Sequence, residues 1–334
     1  MDSQPLTSVV TPVYNGEKHL SECIKSVIAQ TYENWEYVIV NNCSTDATAE
    51  IAENYASKDS RIRVSNNREH LDMVPNWNHA LRQISLESKY CKVLHADDFL
   101  FLECVEQMVE LAETNPNVGI VASYRVDGPK GVHEGGLPYP CSVVSGREVC
   151  RNTLSRKYFL FGSPSTRLIR ADLIRKRKAY YNESYYHADT AECIEQLQKC
   201  DFGFVHQVLS YTRRHGDTQT ATMVQRYATE RPERLSWLRE YGPAYFDQNE
   251  LEELFKKEER GYYYFLVQQI LRRRGRDFFD YHRKSLKQFG LHLSHKKLIY
   301  FLIRRLIGHP ADIKHCLNKC VNISTPELDV HRSC

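Results

Sequence analysis

The sequence predicts an α/β protein whose mainly parallel, doubly wound sheet carries helices on both faces, followed by a C-terminal helical extension. Over the first 125 residues, short apolar runs rich in β-branched residues alternate with amphipathic helical segments. After about residue 225 the pattern becomes wholly helical and increasingly basic. We therefore expect one domain at residues 1–222, with halves at about 1–125 and 126–222, and a basic helical region at 223–334.

Five apolar runs predict the strands of the first half. Their hydrophobicity is continuous rather than alternating, which is typical of strands buried on both faces of a sheet. The predicted strands are Ser8–Val13, Trp35–Val40, Ile62–Ser65, Cys91–His95 and Val118–Ser123. Short crossovers between such strands favour a parallel arrangement with right-handed connections.

Helical patterns separate these runs. The first helix begins near Glu17, with an apolar stripe that recurs every three to four residues, and Asp46 is placed to cap the second. Residues 76–86 and 102–112 repeat the arrangement. A Gly- and Pro-rich loop at 127–145 breaks the alternation, and a helix at Thr190–Lys199 and a strand at Phe204–Tyr211 follow it.

Composition excludes several classes of protein. The longest apolar stretch near the C-terminus, Leu298–Ile303, is far shorter than the roughly 20 residues of a membrane-spanning helix. The first residues do not resemble a secretory signal, so we expect the 11 cysteines to be reduced in a cytoplasmic protein. Neither G-x-G-x-x-G nor G-x-x-x-x-G-K occurs, which argues against a dehydrogenase and a P-loop nucleotidase.

Polar turns follow three of the predicted strands. They are Thr11–Gly16, Asn41–Asp46 and Ala96–Asp98, and the carboxyl ends of parallel strands meet at one edge of a sheet. The adjacent carboxylates of Asp97 and Asp98 repel each other unless a cation or hydroxyl donors balance them, and hard oxygen ligands suit Mg²⁺ or Mn²⁺. The alternative is a solvated turn that caps the helix before Leu102.

Two further residues are candidates in the second half. Asp189 comes at the start of a predicted helix, where it is either a stabilising N-terminal charge or a functional carboxylate. His215 follows Arg213 and Arg214, so it belongs either to an anion-facing loop or to an ordinary surface turn. The tyrosines at 180, 181, 185 and 186 either offer their ring faces to a ligand or pack in a core.

Four blocks resemble glycosyltransferase family 2, which has the GT-A fold. In order, they are SVVTPVYNGEKHLSECIKSVIAQTYENWEYVIVNNCSTDAT, HLDMVPNWNHAL with KVLHADD, HADTAECIEQL, and YTRRHGDTQT, and together they cover roughly residues 6–222. The resemblance implies an inverting transfer of sugar from a nucleotide-diphosphate sugar to a hydroxyl acceptor. It also implies a role in the synthesis of cell-surface polysaccharide, lipopolysaccharide or glycoconjugate.

The resemblance also assigns a metal and a base. Asp98 would ligate Mn²⁺ or Mg²⁺ at the donor diphosphate, and Asp97 would share the metal or lie by the ribose. His215 would approach the metal or the diphosphate, and Asp189 would be the general base. His95 stands where several members carry a further Asp, so the metal site has fewer carboxylates.

The nucleoside site follows from the first two turns. The resemblance places Thr11, Pro12 and Tyr14 beside the nucleoside, and Asn41 or Asn42 at its base or ribose. Many members carry Asp–Asp where this chain has the two asparagines. A neutral amide both accepts and donates, so a UDP-sugar is favoured only weakly, and thymidine and guanosine donors stay open.

The charge is divided unevenly along the chain. Residues 251–334 contain 17 Lys plus Arg and 9 Asp plus Glu, a formal charge of +8, against −5 for the remainder. The basic region could bind an anionic membrane surface, which would suit a saccharide or lipid-linked acceptor on the inner face of the plasma membrane. The alternative is a solvated basic face that packs on the rest of the protein. No nucleic-acid motif accompanies it. The rival function is a non-catalytic nucleotide-sugar-binding or assembly subunit that this tail recruits to membranes.

Overall fold

The computed structural model of the protein describes residues 4–132, 135–214 and 220–307. Contacts divide the chain into two compact units, Met1–Thr222 and Met223–Cys334. The first unit contains the sheet and seven helices among its described residues, and the second is helical throughout its described part.

The described part of the first unit contains one sheet of nine strands. The strands are β1 Thr7–Val13, β2 Trp35–Asn41, β3 Ile62–Asn66, β4 Tyr90–Val93, β5 Phe99–Leu100, β6 Val118–Asp127, β7 Val143–Val144, β8 Arg167–Arg170 and β9 Asp201–Thr212. Their order is β3-β2-β1-β4-β8-β6-β9-β5, with β7 paired to β9. The mixed α/β architecture confirms the predicted fold class.

The sheet joins a parallel half to a mixed half. Strands β3, β2, β1 and β4 are parallel, whereas β8 lies antiparallel between β4 and β6, and β9 runs parallel to β6. The sequence analysis missed β8, because its four residues include only two apolar ones. Since β8 is antiparallel to β4, it begins at the edge where β4 ends, and it brings residues 163–167 to that edge.

The helices of both units follow in chain order. They are α1 Leu20–Ile28, α2 Thr48–Ala56, α3 Met73–Leu81, α4 Cys104–Thr114, α5 Gly146–Leu154, α6 Ala171–Arg175, α7 Ala188–Gln196, α8 Gln225–Tyr227, α9 Glu230–Glu240, α10 Gly242–Tyr245, α11 Gln248–Leu271, α12 Arg276–Gln288 and α13 His295–Ile307.

Side chains alternate between the two faces of β1. Val9 and Val13 belong to a buried cluster that includes Ile24 of α1 and Val105 of α4. Val10 is fully buried but lies outside that cluster, and α3 contacts β1. Because successive strand residues point to opposite faces, the sheet is covered on both sides, as its continuous hydrophobicity predicts.

Several element boundaries differ from the predictions, and three of the differences affect the edge of the sheet or its pairing. Strand β4 ends at Val93 rather than His95, so His95 belongs to the turn that carries the two aspartates. Strand β6 continues to Asp127, well past the predicted end at Ser123, because it pairs with β9 along its whole length. Part of the predicted loop at 127–145 forms β7, which pairs with β9.

The second unit is built around α11. Tyr262 and Leu266 of this helix pack with Leu235 of α9 and with Phe278 and Leu286 of α12. Among the described residues, no helix has the length and apolar character needed to cross a membrane.

Candidate functional site

The strand ends converge at one edge of the sheet. The carboxyl ends of β1, β2 and β4 lie there because these strands are parallel. The first residues of β8 and the last residues of β6 and β9 reach the same edge through the antiparallel pairing of β8. All the site residues predicted in the described ranges lie on these strands, on the turns that follow them, or on α7.

The turns after β1 and β2 are joined by hydrogen bonds. Asn15 lies in the left-handed region with φ 49°, and its Oδ1 accepts from the Thr45 backbone N–H at 2.9 Å. The Gly16 backbone N–H donates to the Thr48 hydroxyl at 2.7 Å. Tyr14, the residue before Asn15, is half exposed, with its ring 4.5 Å from that of His70. Tyr14 therefore offers an accessible aromatic face beside the first turn.

Thr11 and Pro12 lie inside the sheet. The Thr11 hydroxyl is fully buried and forms a 2.8 Å hydrogen bond with the Tyr37 hydroxyl. Pro12 is also buried, in register with Val40 of β2. Thus the structure groups Tyr14 with the open edge, whereas the side chains of Thr11 and Pro12 are part of its support.

Asn41 and Asn42 are buried in an amide network. The Asn42 Nδ2 donates to the Leu71 carbonyl at 2.8 Å, and its Oδ1 accepts from the Leu71 backbone N–H at 2.9 Å and from Asn67 Nδ2 at 2.8 Å. The Asn41 Nδ2 donates to Asn66 Oδ1 at 2.8 Å, and its Oδ1 accepts from the Ser44 backbone N–H at 3.1 Å. Each amide both donates and accepts, which an ionised aspartate cannot do.

The structure brings together His95, Asp97 and Asp98. Each offers one ligand atom, and these atoms lie within 4.8 Å of one another. Asp98 is buried, and its Oδ2 has no hydrogen-bond partner among the described residues. A buried carboxylate oxygen without a partner is costly unless a cation or donor meets it, so the donor set fits a divalent cation.

The electrostatics of Asp98 support the same fit. Burial raises the pKa of Asp98 to about 6, and the negative charge of Asp97 adds to the rise. The charge of His95, the nearby Ser165 hydroxyl and the Arg213 backbone N–H oppose it, although the hydrogen bond that Ser165 Oγ forms is with the His95 backbone N–H at 3.1 Å and leaves Asp98 Oδ2 without a partner. A bound cation would favour the ionised carboxylate, which the protein groups alone stabilise incompletely.

Arg213 fixes the turn that carries the two aspartates. Its backbone N–H donates to Asp98 Oδ1 at 2.9 Å, and its Nε donates to the Asp97 carbonyl at 2.9 Å. Its guanidinium also pairs with Glu22 of α1. Arg213, the residue that follows β9, therefore connects the turn of Asp97 and Asp98 to the first helix.

Asp189 lies in the first turn of α7, held by a buried arginine of β8. Arg167 Nη2 pairs with Asp189 Oδ2 at 3.0 Å, and Arg167 Nη1 donates to the Asp189 carbonyl at 2.8 Å. Among the described residues, Asp189 Oδ1 accepts no hydrogen bond, and the side chain is 15% exposed. One carboxylate oxygen is thus fixed by Arg167, and the other receives no hydrogen bond from a described residue.

The sequence matches the family model "Glycosyl transferase family 2" over residues 8–178. The chain belongs to this family. The matched residues include the turns after β1 and β2 and the cluster of His95, Asp97 and Asp98. The protein is therefore a glycosyltransferase.

Relatives and solved structures agree with this family 2 assignment. An uncharacterized glycosyltransferase from Haemophilus influenzae is 29% identical over 231 residues, which are 67% of this chain and 69% of the relative. The crystal structure of S. aureus TarS 1–349 in complex with UDP-GlcNAc matches with a TM-score of 0.64 at 16% identity, covering 85% of this chain and 80% of that chain. The mannosyltransferase PcManGT from Pyrobaculum calidifontis, in complex with GDP-Man and Mn²⁺, matches with a TM-score of 0.56 at 13% identity, covering 97% and 82%. The solved structures show that this glycosyltransferase has the GT-A fold.

Two further predictions for this family 2 enzyme concern His215 and the cluster of tyrosines. His215 lies outside the described residues. Tyr180, Tyr181 and Tyr185 are buried, so they belong to the core rather than to an open sugar-binding face.

Sequence reasoning missed Arg167 and underrated Arg213. Arg167 begins a strand too short to recognise, and it meets Asp189 across 22 positions. Arg213 reaches Asp98 across 115 positions. Arg213 lies in one of the blocks that resemble the family, YTRRHGDTQT, whereas Arg167 lies in none of them, and only the pairing of β8 and β9 in the sheet gives these arginines their partners.

Proposed function

We propose that this glycosyltransferase catalyses inverting, metal-dependent transfer of a sugar from a nucleotide-diphosphate sugar to an acceptor hydroxyl. The observation that carries the proposal is the buried, unpartnered Oδ2 of Asp98 in the cluster with His95 and Asp97. It lies at the sheet edge where ligands bind in open α/β folds.

The cation site supports departure of the diphosphate. Asp98 and Asp97, with His95, would hold Mn²⁺ or Mg²⁺. Such an ion neutralises the negative charge that develops on a leaving diphosphate. PcManGT binds GDP-Man with Mn²⁺, and this precedent favours Mn²⁺ as the first metal to test here.

Asp189 is the proposed general base. Arg167 holds one carboxylate oxygen and the backbone carbonyl, so the other oxygen keeps a fixed direction. An acceptor hydroxyl loses its proton to that oxygen as it attacks the anomeric carbon. In a single displacement of this kind the acceptor attacks the face opposite the leaving diphosphate, so the configuration at the anomeric carbon inverts.

The base lies in the same electrostatic environment as the metal cluster. Arg125 of β6 interacts electrostatically with both Asp98 and Arg167. The His95 backbone N–H also donates to the Ser165 hydroxyl at 3.1 Å, two residues before the Arg167 that pairs with Asp189, which supports a donor and an acceptor that meet at this end of β8. This connection is carried by the mixed half of the sheet.

The donor and acceptor are proposed by class. Tyr14 and the network of Asn41 and Asn42 border the nucleoside, and TarS supplies a precedent for a UDP-sugar. We propose a saccharide or lipid-linked saccharide as acceptor, presented at an anionic membrane on the inner face of the plasma membrane. The product would enter cell-surface polysaccharide, lipopolysaccharide or glycoconjugate.

The test is Asp189→Asn in a transfer assay. The variant should lose transfer by at least a hundredfold, because general-base catalysis contributes about 10²–10⁴-fold. Its thermal shift with nucleotide sugars and Mn²⁺ should match that of the wild type. Screening UDP, GDP, TDP and CMP sugars with and without Mn²⁺ identifies the donor base and the metal requirement together.

A matched control is available in Asp172→Asn. Asp172 also pairs with an arginine, Arg170 at 2.7 Å, but its side chain is 40% exposed on α6. The control should keep full transfer activity. Transfer that persisted in Asp189→Asn would remove Asp189 as the base.

A further inference from the structure

Helix α13 has apolar side chains on two faces. On one face, Phe301 packs with Tyr263 and Val267 of α11, and Leu298 and Leu302 lie against the same cluster. This face anchors the helix in the second unit. The other apolar face has no such partner among the described residues.

The outward face is an apolar stripe. Ile299 is 57% exposed, Ile303 49% and Leu306 68%, at spacings of four and three residues. Tyr300 beside them is half exposed. A helix that is apolar on both faces normally has both faces covered, and a contiguous exposed patch marks an interaction surface.

Helices α11 and α13 run parallel, as their side-chain contacts show. Lys297 pairs with Glu259 at 2.7 Å, and the ring of Phe301 lies 4.8 Å from that of Tyr264. The contacts advance along both helices together. Leu306, five residues beyond Phe301, therefore lies toward the C-terminal end of α11 at Leu271.

The end of α11 adds charge to this stripe. Leu271 is 49% exposed, and Arg272, Arg273 and Arg274 follow it as exposed residues. Neither these three arginines nor Arg305 of α13 forms an ion pair with another described residue. The stripe of α13 and Leu271 is therefore bordered by uncompensated positive charge.

We propose that this surface, formed by Leu271, Ile299, Tyr300, Ile303 and Leu306 and bordered by Arg272, Arg273, Arg274 and Arg305, binds the surface of an anionic lipid bilayer. Apolar side chains would enter the interfacial region, and the arginines would meet lipid phosphates. A second copy of the chain is disfavoured as occupant, because two such surfaces would bring like charges together. The inference rests on the proposed function only in placing the acceptor at a membrane.

The experiment is flotation of the full chain with two sets of vesicles. One set is phosphatidylcholine alone, and the other contains phosphatidylcholine with 30% phosphatidylglycerol. The protein should bind the anionic vesicles and not the neutral ones. Ile303→Ser/Leu306→Ser should reduce the partition coefficient at least tenfold, and Arg272→Gln/Arg273→Gln should reduce it about 30-fold at low salt, since each basic residue contributes about fivefold.

The control removes equal charge from the other part of α11. Lys256→Gln/Lys257→Gln changes two exposed lysines that lie about 21 Å from Leu271 along the helix. This variant should bind anionic vesicles within twofold of the wild type.

Three outcomes would overturn the proposal. They are negligible binding to both vesicle types, wild-type binding by Ile303→Ser/Leu306→Ser, and a concentration-dependent dimer that the same substitutions abolish. Donor-induced thermal shifts, measured on the same samples without vesicles, test the proposed function separately. Lost vesicle binding with intact donor binding would refute the membrane surface alone.

Discussion

Replacing Asn42 by aspartate tests whether the turn after β2 depends on the neutral side-chain amides of Asn41 and Asn42. The Asn42 side chain makes three hydrogen bonds inside the protein. Its Nδ2 donates to the Leu71 carbonyl at 2.8 Å, and its Oδ1 accepts from the Leu71 backbone N–H and from Asn67 Nδ2. An ionised carboxylate keeps the two accepted bonds but turns an acceptor toward the Leu71 carbonyl. We expect Asn42→Asp to lose about 3 kcal/mol of unfolding free energy at pH 7.5, since an unsatisfied buried group costs about 1–3 kcal/mol and charge burial adds to it.

The Asn42→Asp substitution should also weaken the binding of the nucleotide-sugar donor. The Asn42 carbonyl lies 3.3 Å from His70 Nδ1, and the ring of His70 lies against that of Tyr14. Displacing residues 67–71 would therefore withdraw the support of the exposed Tyr14 ring. A thermal shift with nucleotide sugar should be smaller in the variant than in the wild type.

Thermal unfolding followed by circular dichroism checks the magnitude. About 3 kcal/mol corresponds to a decrease in Tm of roughly 6–12 °C for a unit of about 200 residues. At pH 4.5 the deficit should shrink, because the introduced carboxyl group, once protonated, can donate to the Leu71 carbonyl. A buried carboxyl group has a raised pKa in the folded protein. Its contribution to the unfolding free energy is therefore present at low pH and is lost as pH rises through that pKa.

The matched control is Asn54→Asp, which adds the same charge to an exposed position on α2. It should unfold within about 2 °C of the wild type. If Asn42→Asp also unfolded within that range at pH 7.5, the amide network would not support this edge.

Three further predictions use other parts of the protein. Burial raises the pKa of Glu192 to about 7, so the contribution of this residue to the unfolding free energy is lost as pH rises from about 4.5 to 7. Denaturant titrations should therefore show a fall in unfolding free energy between pH 5 and 8 that is smaller by about 2–3 kcal/mol in Glu192→Gln than in the wild type. Saturating Mn²⁺ should raise the Tm by roughly 5–10 °C, EDTA should reverse the rise, and Asp98→Ala should abolish it in thermal-shift assays. Gly162→Ala should cost about 2 kcal/mol or more, because φ is +63° and a Cβ would lie 2.3 Å from Thr166 Oγ1, whereas Gly261→Ala, which meets open space in α11, should gain about 1 kcal/mol in the same unfolding measurement.

The parallel half of the sheet was predictable from local patterns. Strand β2 begins at the predicted Trp35, and β3 begins at the predicted Ile62. Fully buried parallel strands have continuous apolar runs, and this signal does not depend on their partners. The turns after these strands follow directly, which is why the sequence could place the two aspartates together as a candidate cation site.

The mixed half could not be derived in this way. Strand β8 has four residues and two arginines, so its apolar signal is weak. Its antiparallel pairing with β4 and β6 joins residues that are far apart in the sequence, and local hydrophobic periodicity does not indicate such pairing. For the same reason, residues 163–167 were not recognised as part of the site edge.

The sequence by itself determined the family, the α/β class and the carboxylates that the chemistry needs, because these depend on short motifs and local periodicity. The tertiary structure decided which groups those carboxylates meet. Arg167 fixes one oxygen of Asp189, Arg213 fixes Asp98, and Asn42 is committed to Leu71. These partners are separated along the chain by 22, 115 and 29 positions, and only the folded sheet brings them within hydrogen-bond distance.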